Sequence, residues 1–202
     1  MRFFSSPRLI QLLFPNWIWK GPENNVIYLT FDDGPTPEST PYILGLLKKN
    51  DIKATFFCLG DRAVESPELI QQIVGEGHSI GNHTMHHENG WKTKSETYLE
   101  SIVQSAALID SKLFRPPYGK IRLSQSKKLR ELGYKIILWT WMSYDFDKSL
   151  SDREIISKSR KIKGGDILVF HDNVKANERT KEVLPCLINS IIKQGYQFKT
   201  LS

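Results

Sequence analysis

Short runs of consecutive apolar residues alternate along the chain with segments whose apolar positions fall three and four apart. The first kind predicts strands buried on both faces, the second amphipathic helices. Strands are predicted at Val26–Phe31 (VIYLTF), Ala54–Leu59 (ATFFCL), Ser79–Asn82, Leu113–Arg115, Lys135–Trp139 (KIILW), Ile167–Phe170 and Tyr196–Lys199. Helices are predicted at Pro37–Asn50, Pro67–Glu76 with Ser66 as cap, Ser95–Ile109, Ser124–Leu132, Ser151–Arg160 and Thr180–Lys193, the last bent at Pro185. The clearest is Ser95–Ile109, with Leu99, Ile102, Val103, Ala106 and Ile109 on one face. About seven strand–helix alternations imply a mainly parallel sheet. In a chain of 202 residues they favour a small or irregular α/β barrel, with an open doubly wound sheet as the alternative.

The first 25 residues stand outside this alternation as an N-terminal extension, and 26–202 form the single predicted domain. Met1–Trp19 is fairly apolar, but its run Leu9–Phe14 is broken by Gln11 and stopped by Pro15. That is short for a signal peptide and far from the roughly 18 apolar residues of a membrane span. It predicts a short helix packing on the barrel, with a peripheral anchor as the alternative. With no export signal legible, the cytoplasm is the default location and the cell envelope stays open.

Composition changes this picture little. The net charge of +6 comes from scattered lysines, and no run of five like charges offers a nucleic-acid footprint. Cys58 lies in an apolar run and reads as a small buried hydrophobe; with the distant Cys186 it makes no disulfide framework.

The polar residues that interrupt the pattern gather where strands end. Asp32 and Asp33 follow the first strand, His83 the third, Arg115 the fourth; Asp145 follows KIILW after a short loop, and His171 follows ILVF. In parallel α/β folds the carboxyl ends of the strands share one rim, so these groups are predicted to meet in one pocket. Three of the five histidines lie in His83-Thr84-Met85-His86-His87. On a helical turn His83 and His87 face the same way, a spacing that suits one metal ion; His83 with His86 is the weaker alternative, and a solvated loop the inert one. Two adjacent carboxylates after an apolar strand are tolerated where a cation or a shared proton relieves them. One carboxylate with two imidazoles makes a metal site with open positions, and the second carboxylate is free to act as base. His171, beside Asp172, is a candidate acid.

TFDDGP, GHSIGNHTMHH, RPPYG, the Trp139–Phe146 stretch and ILVFHD, in this order, resemble the motifs of the NodB-type polysaccharide deacetylases, carbohydrate esterase family four. The resemblance runs from about Val26 to Ser202. It implies a distorted (β/α)7-type barrel and the metal-dependent removal of N-acetyl groups from an amino-sugar glycan, peptidoglycan- or chitin-like. The implied metal is divalent, zinc first and cobalt as a substitute, held by Asp33, His83 and His87. Asp32 would be the base, oriented by Arg115. Tyr118 would lend its backbone N–H to the oxyanion, and His171, bonded to Asp145, would be the acid. Pro117, Tyr118, Phe146 and Val169 would line the substrate. Glu88 stands where the family often has Pro; Met142 replaces an Asp, and Phe146 the usual Trp, of the fourth motif. Such a site also serves an O-acetyl esterase, and a catalytically weak sugar-binding relative would keep part of it.

Overall fold

The computed structural model describes residues 4–202. Its sheet is built from β1 (Val26–Asp32), β2 (Thr55–Cys58), β3 (Ser79–Asn82), β4 (Leu113–Phe114), β5 (Lys135–Ile136), β6 (Trp141–Met142), β7 (Ile167–His171) and β8 (Gln197–Phe198). The spatial order is β5-β4-β3-β2-β1-β7-β6, with β8 on the first residues of β1, and every ladder between these strands is parallel.

All seven residues of β1 are buried, which is why the sequence there shows no polar alternation. Ile27, Leu29 and Phe31 face outward. They join the main core with Ile43, Leu44 and Leu47 of α2 (Thr40–Lys49) and with Val183, Leu184, Leu187, Ile188 and Ile191 of the long terminal helix (Val174–Lys193). Val26 and Tyr28 face inward and meet Phe57, Leu113, Ile137 and Ile167 in a separate cluster. Residues from four strands and the end of a fifth thus converge inside the sheet, which curls into a barrel rather than lying open.

The curl is closed by the N-terminal segment. β5 and β6 do not pair with each other. Between them, Ser6 N donates to Thr140 O and Met142 N to Phe4 O, both at 2.9 Å; Ile18 N donates to Ile136 O and Leu138 N to Ile18 O, both at 2.8 Å. The expected N-terminal helix exists as α1 (Arg8–Leu13), but it buries none of its residues, and Leu9, Leu12 and Leu13 are exposed. The flanks do the packing instead: Phe4 sits against Trp141 and Tyr144, and the Trp17 indole donates to Ser126 Oγ.

Three further expectations shift. The KIILW stretch is in register with β4 only at Lys135 and Ile136, because from Ile136 onward its other edge turns to Ile18, and a separate two-residue strand, Trp141–Met142, follows. A short helix, α3 (Gly60–Glu65), precedes α4 (Pro67–Gly75), and the side chain of Ser66 makes no cap bond to α4. The remaining helices are α5 (Ser95–Ala106), α6 (Leu123–Glu131), α7 (Asp152–Ser159) and α8 (Val174–Lys193). α8 starts six residues before the predicted Thr180, capped by Asn173, whose Oδ1 accepts from Ala176 N at 2.9 Å.

Candidate active site

Asp32 ends β1 and His171 ends β7, and the two are register partners across the parallel ladder. Asn82 ends β3, so His83 leaves the sheet on the same rim; Arg115 follows β4. The rim encloses a cavity of about 480 Å3 lined by Asp32, Asp33, His83, His87, Tyr118 and His171 among others.

Asp33, His83 and His87 come together: their ligating atoms all lie within 4.8 Å of one another. Asp33 Oδ1 is 3.4 Å from His83 Nε2 and 3.1 Å from His87 Nε2. That oxygen is buried and accepts no hydrogen bond. A buried carboxylate oxygen without a donor, aimed between two imidazoles, is the arrangement a cation completes, so the residues present fit a divalent metal. The tautomer agrees. His83 Nδ1 lies 2.7 Å from the carbonyl oxygen of Arg115, which only accepts, so Nδ1 carries the proton and the Nε2 lone pair faces Asp33. His87 Nδ1 lies 3.1 Å from the Tyr118 hydroxyl.

The helical turn expected for the histidines is absent. Residues 83–87 form an irregular loop with Thr84 and His87 in the left-handed region (φ 71° and 62°). Side chains hold it: Asn82 Oδ1 accepts from Thr84 N, Thr84 Oγ1 from Glu88 N, and Glu88 Oε2 from His86 N. Glu88 therefore fastens the loop it departs from the family pattern in. His86 points away, toward Asp61 at 3.6 Å.

Arg115 is fully buried beneath the cavity. One Nη donates to Thr30 Oγ1 and to Asp32 Oδ1, each at 2.6 Å, and the other to Leu138 O at 3.2 Å, with the guanidinium over the Phe57 ring. Its side chain thus fixes Asp32 while its carbonyl fixes His83. On the opposite side His171 Nδ1 meets Asp145 Oδ1 at 2.7 Å, and the second carboxylate oxygen accepts from His171 N and Thr180 Oγ1. Burial would lower the His171 pKa, but the charge and hydrogen bond of Asp145, helped by Asp33 and Asp32, push it up to about 9.

Two substrate-lining expectations are corrected. Val169 is fully buried and does not line the cavity, because it shares the face of His171 one layer deeper in the barrel, beside Thr30. Pro117 does not line the cavity, and its neighbour Pro116 does so in its place. Phe146 does line it, its ring nearly perpendicular to that of His171 with centroids 4.8 Å apart, and the Tyr118 and His87 ring centroids lie 4.5 Å apart. Asp145 and Arg115 lie behind the groups they hold.

Lys120, Trp139, Met142, Tyr144, Asn173 and Lys175 also line the cavity; sequence reasoning reached Trp139, Met142 and Tyr144 only as parts of the fourth motif and missed the other three. Asn173 is the most informative: its Nδ2 donates to Asp33 Oδ2 at 2.7 Å while its Oδ1 caps α8. Asn173→Ser separates the two tasks, since serine caps a helix well but is too short to reach Asp33. The variant is expected to keep its melting temperature within a few degrees and to lose about 10- to 100-fold in zinc affinity. Chelator competition reads the second, and unchanged affinity would leave Asn173 a cap alone.

A family model described as polysaccharide deacetylase matches residues 20–137. A peptidoglycan-N-acetylglucosamine deacetylase of Bacillus cereus is 36% identical over 192 residues, covering 91% of this chain and 90% of the relative. Among solved structures, the Bc1960 peptidoglycan N-acetylglucosamine deacetylase in complex with 4-naphthalen-1-yl-N-oxidanyl-benzamide superposes with a TM-score of 0.89 at 31% identity, over 97% of this chain and 95% of that one. A family-four pseudoenzyme from Bacillus anthracis, BA3943, reaches a TM-score of 0.81 at 28% identity, over 93% of this chain and 70% of its own. By sequence, by fold and by the rim on which its motifs meet, the chain belongs to the polysaccharide deacetylase family.

Proposed function

We propose that this protein removes acetyl groups from N-acetylglucosamine units of a peptidoglycan- or chitin-like glycan with the help of a divalent metal, zinc by preference. What carries the reading is one arrangement: the Arg115–Asp32 and Asp145–His171 pairs flank the Asp33, His83, His87 group in a single cavity. A sugar-binding module needs neither a held base nor a held acid.

A cation held by Asp33, His83 and His87 would polarise the acetamide carbonyl and acidify a water. Asp32, held by Arg115, takes a proton from the attacking water. The Tyr118 backbone N–H donates to the oxygen on which negative charge develops. His171 then gives its proton to the departing amine nitrogen, which is a poor leaving group without it. The Asp145 carboxylate keeps that imidazole charged and aimed. Phe146 and Tyr118 wall the acetyl group and exclude water.

The test is acetate release from N-acetylglucosamine oligomers, peptidoglycan and an O-acetylated xylan by metal-stripped protein, with and without added zinc or cobalt. Metal-dependent release from the N-acetylated substrates is expected. Release from the xylan alone would turn the reading to an esterase, and none from any substrate would end it.

The pH profile offers an independent check. His171 works protonated, and a pKa raised to about 9 keeps it so at neutral pH, with the proton lost as pH rises through that value. Asp145→Asn removes the main cause of the rise, so the alkaline limb of kcat/KM should move to lower pH and kcat should fall. An unmoved alkaline limb would take His171 out of the leaving-group step.

A further inference from the structure

Trp91 stands on the surface, 58% exposed, yet it is not loose. Its indole N–H donates to Ile121 O at 3.1 Å, its backbone N–H to Asn89 Oδ1 at 3.0 Å, and its carbonyl accepts from Arg122 Nη2 at 2.7 Å. The turn that carries it is zipped to the segment after the Pro116-Pro117 stretch: Gly90 N donates to Lys120 O at 3.1 Å, and Gln125 Nε2 to Gly90 O at 2.9 Å. The two segments touch so closely at Gly90 that a Cβ there would lie 2.5 Å from Lys120 O. The indole's polar atom is thus spent inward while its apolar ring is held out to solvent. Lys120 links the ring to the catalytic cavity: it lines that cavity, and its Nζ sits 5.5 Å from the Trp91 ring centroid. No carboxylate pairs with Lys120 among the described residues, so its donors are available too.

A rigid, outward-facing indole beside a cleft presents a flat apolar surface, the shape that the C–H-rich face of a pyranose ring covers, while neighbouring cationic donors meet its hydroxyl or acidic substituents. Because the ring and its turn are already fixed, binding there orders little. We propose that Trp91, with the Lys120 ammonium over one face of its ring and Arg122 bonded to its carbonyl, is a distal sugar-stacking subsite that holds a pyranose unit of the glycan chain outside the acetyl cavity, so that the protein grips polymers rather than short sugars. The proposal rests on the glycan reading above, and its test is set so that the two fail separately.

Affinity of the metal-free protein for the dimer and the hexamer of N-acetylglucosamine is measured by calorimetric titration. Trp91→Ala is expected to weaken the hexamer about tenfold and leave the dimer unchanged, with Trp91→Phe recovering most of the loss by keeping a ring without its N–H bond. Equal weakening of dimer and hexamer, no change for either, or no hexamer binding by the parent protein would each overturn it. Melting temperatures guard against a merely structural effect: a variant destabilised without the chain-length difference also overturns it. Acetate release by the zinc-loaded parent protein is scored separately, so that absent turnover with Trp91-dependent hexamer binding would remove the deacetylation and leave the subsite standing.

Discussion

Asp32→Asn is expected to fold, to take up zinc as the parent protein does, and to release acetate about 100- to 10,000-fold more slowly. The amide cannot accept a proton from water, and nothing else in the cavity replaces it: Asp33 is committed between the two imidazoles, and Asp145 lies behind His171. The substitution also has a structural side. Arg115 stays buried and keeps its bonds to Thr30 Oγ1 and Leu138 O, but its charge loses its direct partner, which costs on the order of 3 kcal/mol. Urea unfolding and zinc content therefore accompany the rate measurement. A folded, zinc-loaded variant with near-normal turnover would sink the assignment of Asp32 as the base.

The strand ends were legible because this sheet is parallel and covered on both faces. A run such as VIYLTF can lie only in its interior, so the carboxylates that follow it must emerge at the rim. Asp32, His83, Arg115 and His171 all follow that logic, and their convergence needs no knowledge of side-chain geometry. Periodicity carries no such information about loops. The spacing of His83 and His87 suggests a helical turn, but the loop takes its shape from hydrogen bonds of Asn82, Thr84 and Glu88 to nearby backbone. Val169 was expected in the lining from the family resemblance alone; two residues before His171 it shares that residue's face but sits one layer deeper. Asn173 and Lys120 are single residues in connections, where no pattern marks them. The closure of the barrel by Phe4–Ser6 and Ile18 is a tertiary event between distant segments, and a two-residue strand such as Trp141–Met142 is too short to leave a period in the sequence.

His83→Ala and His87→Ala are each expected to lower zinc affinity by at least about 100-fold, beyond the range typical of losing an outer partner, and to abolish acetate release at ordinary zinc concentrations. They should differ in what else they cost. His83 is buried and its Nδ1–H satisfies the Arg115 carbonyl, so truncation leaves a cavity and an orphaned acceptor on the residue whose side chain holds Asp32. His87 is partly exposed and leans on the Tyr118 ring, so its loss should leave the fold almost as stable as before. His86→Ala, whose ring faces Asp61 outside the cavity, should change neither metal nor rate. Chelator competition and zinc content after dialysis read all three. Full occupancy in both the His83 and the His87 variants would refute the ligand set, and a loss shared equally with His86 would mean that the loop, rather than two imidazoles on it, holds the metal. Metal retained by the parent protein without acetate release would place the fault elsewhere, in the base or acid pairs, because a chain can keep its ligands and still lack turnover.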